Sequence, residues 1–455
     1  MVIENLPTFA VILHPRKKKN MGRKNGDNHE RRKPARHPEK DHSPHLRPRN
    51  SKTVHLDGST LEGGGQLVRV ALTLSALTGI PVHITRIRAG RGVGRNSGGL
   101  KESHLAALEV LAEECGASVE GGFVGSKELL FEPGIQRWKD EETGKRNVEL
   151  QKPGSVWLIL QALLPWYLLR DGSYELTLRG GTNVSSSMSG DYVQQVLLPT
   201  LEKIGLPRVN VEVVQRGWAG NAIQIGEAKV SVGDLVQASS AEKIVSPRAF
   251  NVQDRDSISK ISITVVAHPE SMRNAIRGRA SEEVGEKFPN AEIEITIDED
   301  SCDVRRLYIL LVAHTSNGWR LGRDYLGTGK SLKNQKEIDA LVDGSVRKVT
   351  DELLEEVKIG GCVDEHMQDQ LVVFQALAAG ISAVDAGEGR EKGTLHTQTV
   401  RWVCREMLGG TRFESVKGGV CMGIGRGSRD QANIIQHQSN GTDKRPDEEL
   451  TAVMR

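Results

Sequence analysis

The stretch GGQLVRVALTLSALTGIPVHIT, residues 64–85, decides the fold. It opens on small residues and runs as an apolar helical stretch from Gly64 to Leu77. It closes at Gly79 and continues as a short alternating strand, Pro81-Val82-His83-Ile84-Thr85. Glycine just past a last helical turn suits a C-terminal cap, because it takes the left-handed conformation without a Cβ clash.

The same unit recurs along the chain. Ser103 to Cys115 is followed by Ala117–Glu120, Ser155 to Leu169 by Tyr174–Leu178, and Tyr192 to Ile204 by Val209–Val214. Asp364 to Ala379 and Thr397 to Leu408 repeat the helical pattern, the latter before Arg412–Val416. Gly116, Gly172, Gly205, Gly380 and Gly409 stand at the exits. A strand at Thr53–Leu56 precedes the first helix. Such alternation predicts an α+β chain of sheets with helices packed on one face. Units follow one another closely except between the fourth and fifth, where a small inserted α+β domain over 233–340 is the simple explanation. Ile258–Val266, Ala291–Ile297 and Leu307–Ala313 read as its strands, and Ser271–Val284 as a helix. The expected layout is a basic tail (1–50), a main domain in two parts (51–232 and 341–436), the insert between them, and a polar tail (437–455).

Composition narrows the function. The 455 residues carry a net charge of +2, yet residues 1–50 alone hold 13 Lys/Arg against 5 Asp/Glu. The body is therefore mildly acidic, and polyanion binding there requires a local basic patch. Residues 14–50 are too poor in apolar groups to pack. Their basic runs, Arg16-Lys17-Lys18-Lys19 and Arg31-Arg32-Lys33, suit a nuclear address, a non-specific RNA contact or a solvated tail. No apolar run reaches the roughly 18 residues that span a membrane, so no membrane partner is expected. Five scattered cysteines without a CxxC pair argue against a disulfide framework or zinc site.

Several segments carry candidate chemistry, each with a plainer alternative. Glu62-Gly63-Gly64-Gly65-Gln66 lies between a strand and a helix. It is either a turn or an anion site at a helix N-terminus, with Glu62 a possible oxygen ligand for a metal. Arg86-Ile87-Arg88-Ala89-Gly90-Arg91 is either a solvated edge or a set of phosphate-binding forks. His104 is a helix-start residue or a phosphate contact. Asp364 reads as an N-cap, with His366, Asp369 and Gln370 beyond it. His396, in Leu395-His396-Thr397-Gln398-Thr399, is a surface histidine or a nucleophile. A position near a helix N-terminus would disfavour its imidazolium and keep the lone pair that attacks phosphorus. No G-x-S-x-G elbow supports a serine hydrolase.

In this order, Asp57-Gly58-Ser59, Glu62–Gln66 with Arg69, Ile87–Arg91, Gly180-Gly181-Thr182-Asn183, Asp369-Gln370 and Leu395–Thr399 resemble the motifs of RNA 3′-terminal phosphate cyclases, over roughly residues 52–430. The resemblance implies three repeated sheet-plus-two-helix units in the main domain. It implies ATP-dependent conversion of an RNA 3′-phosphate end to a 2′,3′-cyclic phosphate. In that reaction His396 carries AMP, and Glu62 holds Mg2+ or Mn2+. Arg69, Arg88, Arg91 and His104 face phosphates, while Gln161, His366, Asp369 and Gln370 face the nucleotide. His366, Ser103 and Met188 depart from residues usual in the family, and the segment Gly92–Gly99 is longer than in bacterial members. Two rivals are a cyclase-like ribosome biogenesis factor without catalysis and an enolpyruvyl transferase on a related scaffold. Retention of His396 speaks against both.

Overall fold

The computed structural model describes residues 52–91, 98–134, 144–170, 172–233, 247–330, 333–416 and 419–426. The expected tails, 1–50 and 437–455, lie outside them. In the first repeat, β1 (Val54–Asp57) leads into α1 (Gln66–Thr78), then β2 (Val82–Thr85), α2 (Glu102–Cys115), β3 (Ser118–Glu120) and β4 (Leu129–Glu132). Gly79 ends α1 in the left-handed conformation at φ 68°, with its N–H on the Ser75 carbonyl. Gly116 does the same for α2 at φ 62°. The sheet order is β1-β2-β4-β3, with β1 and β2 parallel and the other pairs antiparallel.

The second repeat copies that order. It contains β5 (Gly144–Glu149), α3 (Val156–Leu168), β6 (Tyr174–Gly180) and α4 (Gly190–Tyr192). α4 runs through a π-helical segment, Val193–Leu197, into α5 (Leu198–Lys203), followed by β7 (Val209–Gln215) and β8 (Gly226–Val232). Its sheet runs β5-β6-β8-β7, again with one parallel pair. α3 is apolar nearly all round, as a helix buried in a protein interior must be.

The third repeat starts with β9 (Asn251–Val252), and the chain then leaves to build the inserted unit. This comprises β10 (Ile258–Ala267), α6 (Glu270–Lys287), β11 (Glu292–Asp300), β12 (Tyr308–Thr315), β13 (Arg320–Leu326) and α7 (Gln335–Ile359). Its order, β11-β10-β12-β13, differs from that of the repeats. The third repeat resumes with α8 (Glu365–Leu377), β14 (Ala379–Asp385), α9 (Leu395–Met407), β15 (Arg412–Val416) and β16 (Val420–Arg426), in the order β9-β14-β16-β15. The fold is thus α+β, with three repeated sheet-helix units and an inserted one.

The expected insert limits of 233 and 340 differ from these elements. β9 lies within that range, yet it pairs in parallel with β14, Val252 opposite Val384. α7 passes through residue 340 and runs to Ile359, with Val342, Val346, Val349 and Leu353 buried against the insert's own strands. Both faces of the insert's strand β12 are covered. Ile309, Leu311 and Ala313 of β12 join the cluster formed with α6 and α7. Tyr308, Leu310 and Val312 on the opposite face join the main core. Double burial explains the unbroken apolar run Leu307–Ala313, and each such side chain contributes about 1.5–3 kcal/mol.

Candidate active site

α1 is buried on every side, so its polar residues must find partners inside the protein. Gln66, Arg69 and Thr73 fall on one stripe of the helix, at i, i+3 and i+7. Thr73 fixes the stripe against α3, its hydroxyl donating to the Ala162 carbonyl at 2.5 Å. Gln66 and Arg69 then face α8, α9 and α2.

The glycine triplet makes room for side chains. A Cβ on Gly64 would lie 2.1 Å from Glu62 Oε1, and one on Gly65 would lie 2.3 Å from His104 Nε2. Gly63, at φ 59°, meets the backbone of Gly90. The facing turn is strained: Leu61, Arg86 and Arg88 all have φ between 50° and 56°. Such conformations cost about 1–3 kcal/mol each and persist where the surroundings enforce them.

His396 is the second residue of α9, whose first turn is capped by the Thr394 hydroxyl accepting from Thr397 N–H at 3.3 Å. Its Nδ1 lies 2.6 Å from Gln66 Oε1 and 3.2 Å from Glu62 Oε2. Gln66 cannot present its nitrogen instead, because its Nε2 donates to Asp369 Oδ2 at 2.8 Å. Two acceptor oxygens at Nδ1 place the proton of the neutral ring there and leave Nε2 with its lone pair. The side chain is 47% exposed, so that nitrogen is reachable.

The chain of contacts extends in both directions. Arg91 pairs with Glu62. Beyond Gln66, the other Asp369 oxygen accepts from Gln370, and Gln161 Nε2 donates to Gln370 Oε1 at 3.0 Å. Arg69 Nε donates to Gln161 Oε1 at 2.8 Å, and His104 Nε2 lies 3.5 Å from Arg69 Nη1. His104 Nδ1 accepts the Lys101 N–H at 3.0 Å, which assigns the proton to Nε2 and sets it beside the Arg69 Nη1 donor, two donors side by side and not bonded to each other. Eight of the ten residues expected from sequence therefore form one connected set. Arg88 stands beside it, donating to the Gly99 carbonyl at 3.2 Å. His366 is not brought in: its ring lies 3.1 Å from Arg323 of the insert. Gln66, the link between His396 and Asp369, is in the sequence only the end of the glycine motif. Its place on the Arg69 stripe was the available signal.

Charge is unevenly arranged. Burial pushes the Glu62 carboxyl up, but the contacts with His396 and Arg91 outweigh it and hold it at about 2. The Glu62 contact in turn raises His396 above the usual histidine value. This corrects the expectation that the helix N-terminus disfavours imidazolium. A helix end contributes about 0.3–1 kcal/mol, whereas a charge pair near a surface is worth about 4 kcal/mol at 4 Å. Burial lowers Arg69 to about 10 and drives His104 well below its ordinary value, with Arg69 and Arg88 adding to the effect. A pocket lined by Gln66, Arg69, Gln161, Asp369 and Gln370 on its polar side has Leu164, Val373 and Phe374 on its apolar side. Among the described residues no group of three His, Cys, Asp or Glu could hold a metal alone. Beyond its 3.2 Å contact with His396 Nδ1, the buried Glu62 Oε2 has no hydrogen-bond partner, which fits one oxygen ligand of a cation otherwise held by phosphate.

Residues 60–414 match the family model for RNA 3′-terminal phosphate cyclase. The chain is 35% identical over 351 residues to the RNA 3′-terminal phosphate cyclase of Desulfurococcus amylolyticus, covering 76% of this chain and 89% of that protein. The enzyme of that name from Methanosarcina mazei is 33% identical, covering 78% and 95%. That from Pyrococcus furiosus is 31% identical, covering 81% and 96%. With the fold, these matches establish that the chain belongs to the RNA 3′-terminal phosphate cyclase family.

Proposed function

We propose that the chain uses ATP to convert an RNA 3′-phosphate into a 2′,3′-cyclic phosphate, with His396 carrying AMP between the two substrates. The observation that supports this best is the Asp369–Gln66–His396 relay, which fixes the ring proton on Nδ1. His396 Nε2 attacks the ATP α-phosphorus. An N–P bond forms, the P–O bond to pyrophosphate breaks, and pyrophosphate leaves. An oxygen of the RNA 3′-phosphate then takes the AMP, and the N–P bond breaks. Finally the 2′-hydroxyl attacks the activated RNA phosphorus, loses its proton and expels AMP.

Each neighbour has a task in this scheme. Glu62 beside Nδ1 offsets the positive charge that grows on the ring during attack. Arg69, Arg88, Arg91 and the His104 Nε2–H offset negative charge on phosphates. The polar side of the pocket, Gln161, Asp369 and Gln370, holds the nucleoside against the apolar wall. A Mg2+ or Mn2+ ion at Glu62 would supply further charge neutralisation on the phosphate oxygens. His366, the remaining nucleotide candidate, lies against Arg323 and does not line this pocket.

The test is incubation with ATP labelled at the α-phosphate, with magnesium. Acid-labile, alkali-stable AMP should appear on the protein, and His396→Ala should abolish it. Labelling of the mutant at the wild-type level would overturn the assignment. A wild type that never labels and never cyclises RNA would favour the binding-factor reading. We further propose a nuclear location, on the basic runs Arg16–Lys19 and Arg31–Lys33. Fluorescent fusions with and without residues 1–50 check it.

A further inference from the structure

Glu356 sits in the last turns of α7, in the inserted unit, and is 1% exposed. A carboxylate at that depth is stable only when paired. Each of its oxygens holds a different arginine. Oε2 pairs with Arg323 of β13, and Oε1 accepts from Arg390 at 2.5 Å. The two arginines lead to the two helices that set the geometry around His396.

The first route runs through Arg390, in the turn before α9. Its carbonyl accepts from Gln368 Nε2 at 3.0 Å. The next residues are held by Arg401, which donates to the Glu391 and Lys392 carbonyls at 2.8 and 2.9 Å. The Gly393 carbonyl takes Gln398 Nε2 at 3.0 Å, and Thr394 caps the helix two residues before His396. The second route runs through Arg323, which donates to Glu365 Oε1 at 2.8 Å in the first turn of α8. The α8 cap, Asp364, also accepts from Gly322 N–H of β13 at 2.8 Å and Tyr192 Oη at 2.7 Å. Four residues on from Glu365 is Asp369, which orients Gln66 against His396 Nδ1.

We infer that Glu356 is a positioning residue for His396, clamping from the insert both the turn that presents the nucleophile and the helix that orients its tautomer. The inference rests on the proposed histidine chemistry. It gives the insert a part in the first half-reaction, before any RNA is bound. Glu356 touches neither His396 nor Asp369, so its effect falls on the rate of AMP transfer more than on ATP affinity.

The experiment measures single-turnover AMP labelling of the full-length protein across ATP concentrations. Glu356→Gln and Arg390→Gln should each slow labelling at saturating ATP by roughly 10- to 100-fold, since small misplacements cost about that much. The half-saturating ATP concentration should stay within about threefold of wild type, on the same reasoning. The double variant should be little worse than either single one, because both break one link. Glu356→Asp should recover part of the rate. Glu114→Gln is the matched control: it removes a carboxylate that holds Arg146 and Arg170 far along the chain from these routes, and should leave labelling unchanged. Wild-type labelling rates in folded Glu356→Gln would overturn the inference. Should that variant not fold, wild-type labelling by Arg390→Gln would overturn it equally. Absence of labelling in the wild type would instead reject the nucleophile reading beneath it.

Discussion

Arg69 and Arg323 are buried to the same degree, 7% and 8% exposed, but they live in opposite surroundings. Burial pulls both guanidinium groups down. Around Arg323 the carboxylates of Glu356, Asp364 and Glu365 more than reverse that pull. Around Arg69 the neighbours are the Gln161 amide and a neutral histidine, and more distant acids fail to restore it. One residue type, equally buried, is satisfied within the fold where carboxylates enclose it; where they do not, the proposed chemistry gives it to a phosphate. A buried cation facing amides is a place built for an anion.

Four variants sharpen or break that contrast. Arg323→Met should lose about 3–5 kcal/mol in urea unfolding, because it removes one of the two arginines that pair the buried Glu356 and leaves its Oε2 unpartnered. Arg69→Gln should slow AMP labelling by about 10²–10³-fold. It should lose only about 0.5–1.5 kcal/mol of stability, the worth of one hydrogen bond. Equal destabilisation by the two substitutions would erase the distinction. Gly65→Ala should cost about 1–3 kcal/mol by overpacking, because its Cβ meets His104 Nε2. An unchanged unfolding midpoint would show that the His104 side yields freely.

The smallest effect is on pH dependence. The folded-state value of His104 lies well below 6.5, so on acidification the unfolded chain takes its proton first. Stability is therefore full above about pH 6.5 and falls as pH drops toward the folded value, by at most about 1.4 kcal/mol per unit. His104→Gln should flatten the difference between unfolding free energies at pH 7 and pH 5.5. An unaltered slope would mean that His104 is not held neutral.

What was legible in the sequence followed local physics. α1, α2 and α3 announce themselves by apolar runs with capping residues, and β15 by its alternation between glycine-bearing turns. β9 was invisible because two residues carry no period. β5, GKRNVE, buries one residue well and looks like surface. α7 did carry signals that went unread: Asn334 three residues before Glu337, apolar residues at helical spacing, and Gly360 at the exit. The site divides in the same way. His396, Glu62 and the arginines sit in short recognisable motifs. The Glu356 clamp does not, because its partners lie 33 and 34 positions away and only the folded insert brings them together. The reversal of the His396 shift was hidden for the same reason, since its cause is a carboxylate from the first repeat.

The bond between Gln66 and His396 joins residues 330 positions apart. During synthesis Arg69, Arg88 and Arg91 emerge early, while His396 belongs to α9, the last helix among the described residues. Under the proposed chemistry, a chain that stops before α9 cannot take AMP from ATP, however well its first repeat folds. The capacity to label itself with AMP then reports that α9 has been made and has closed upon the first repeat.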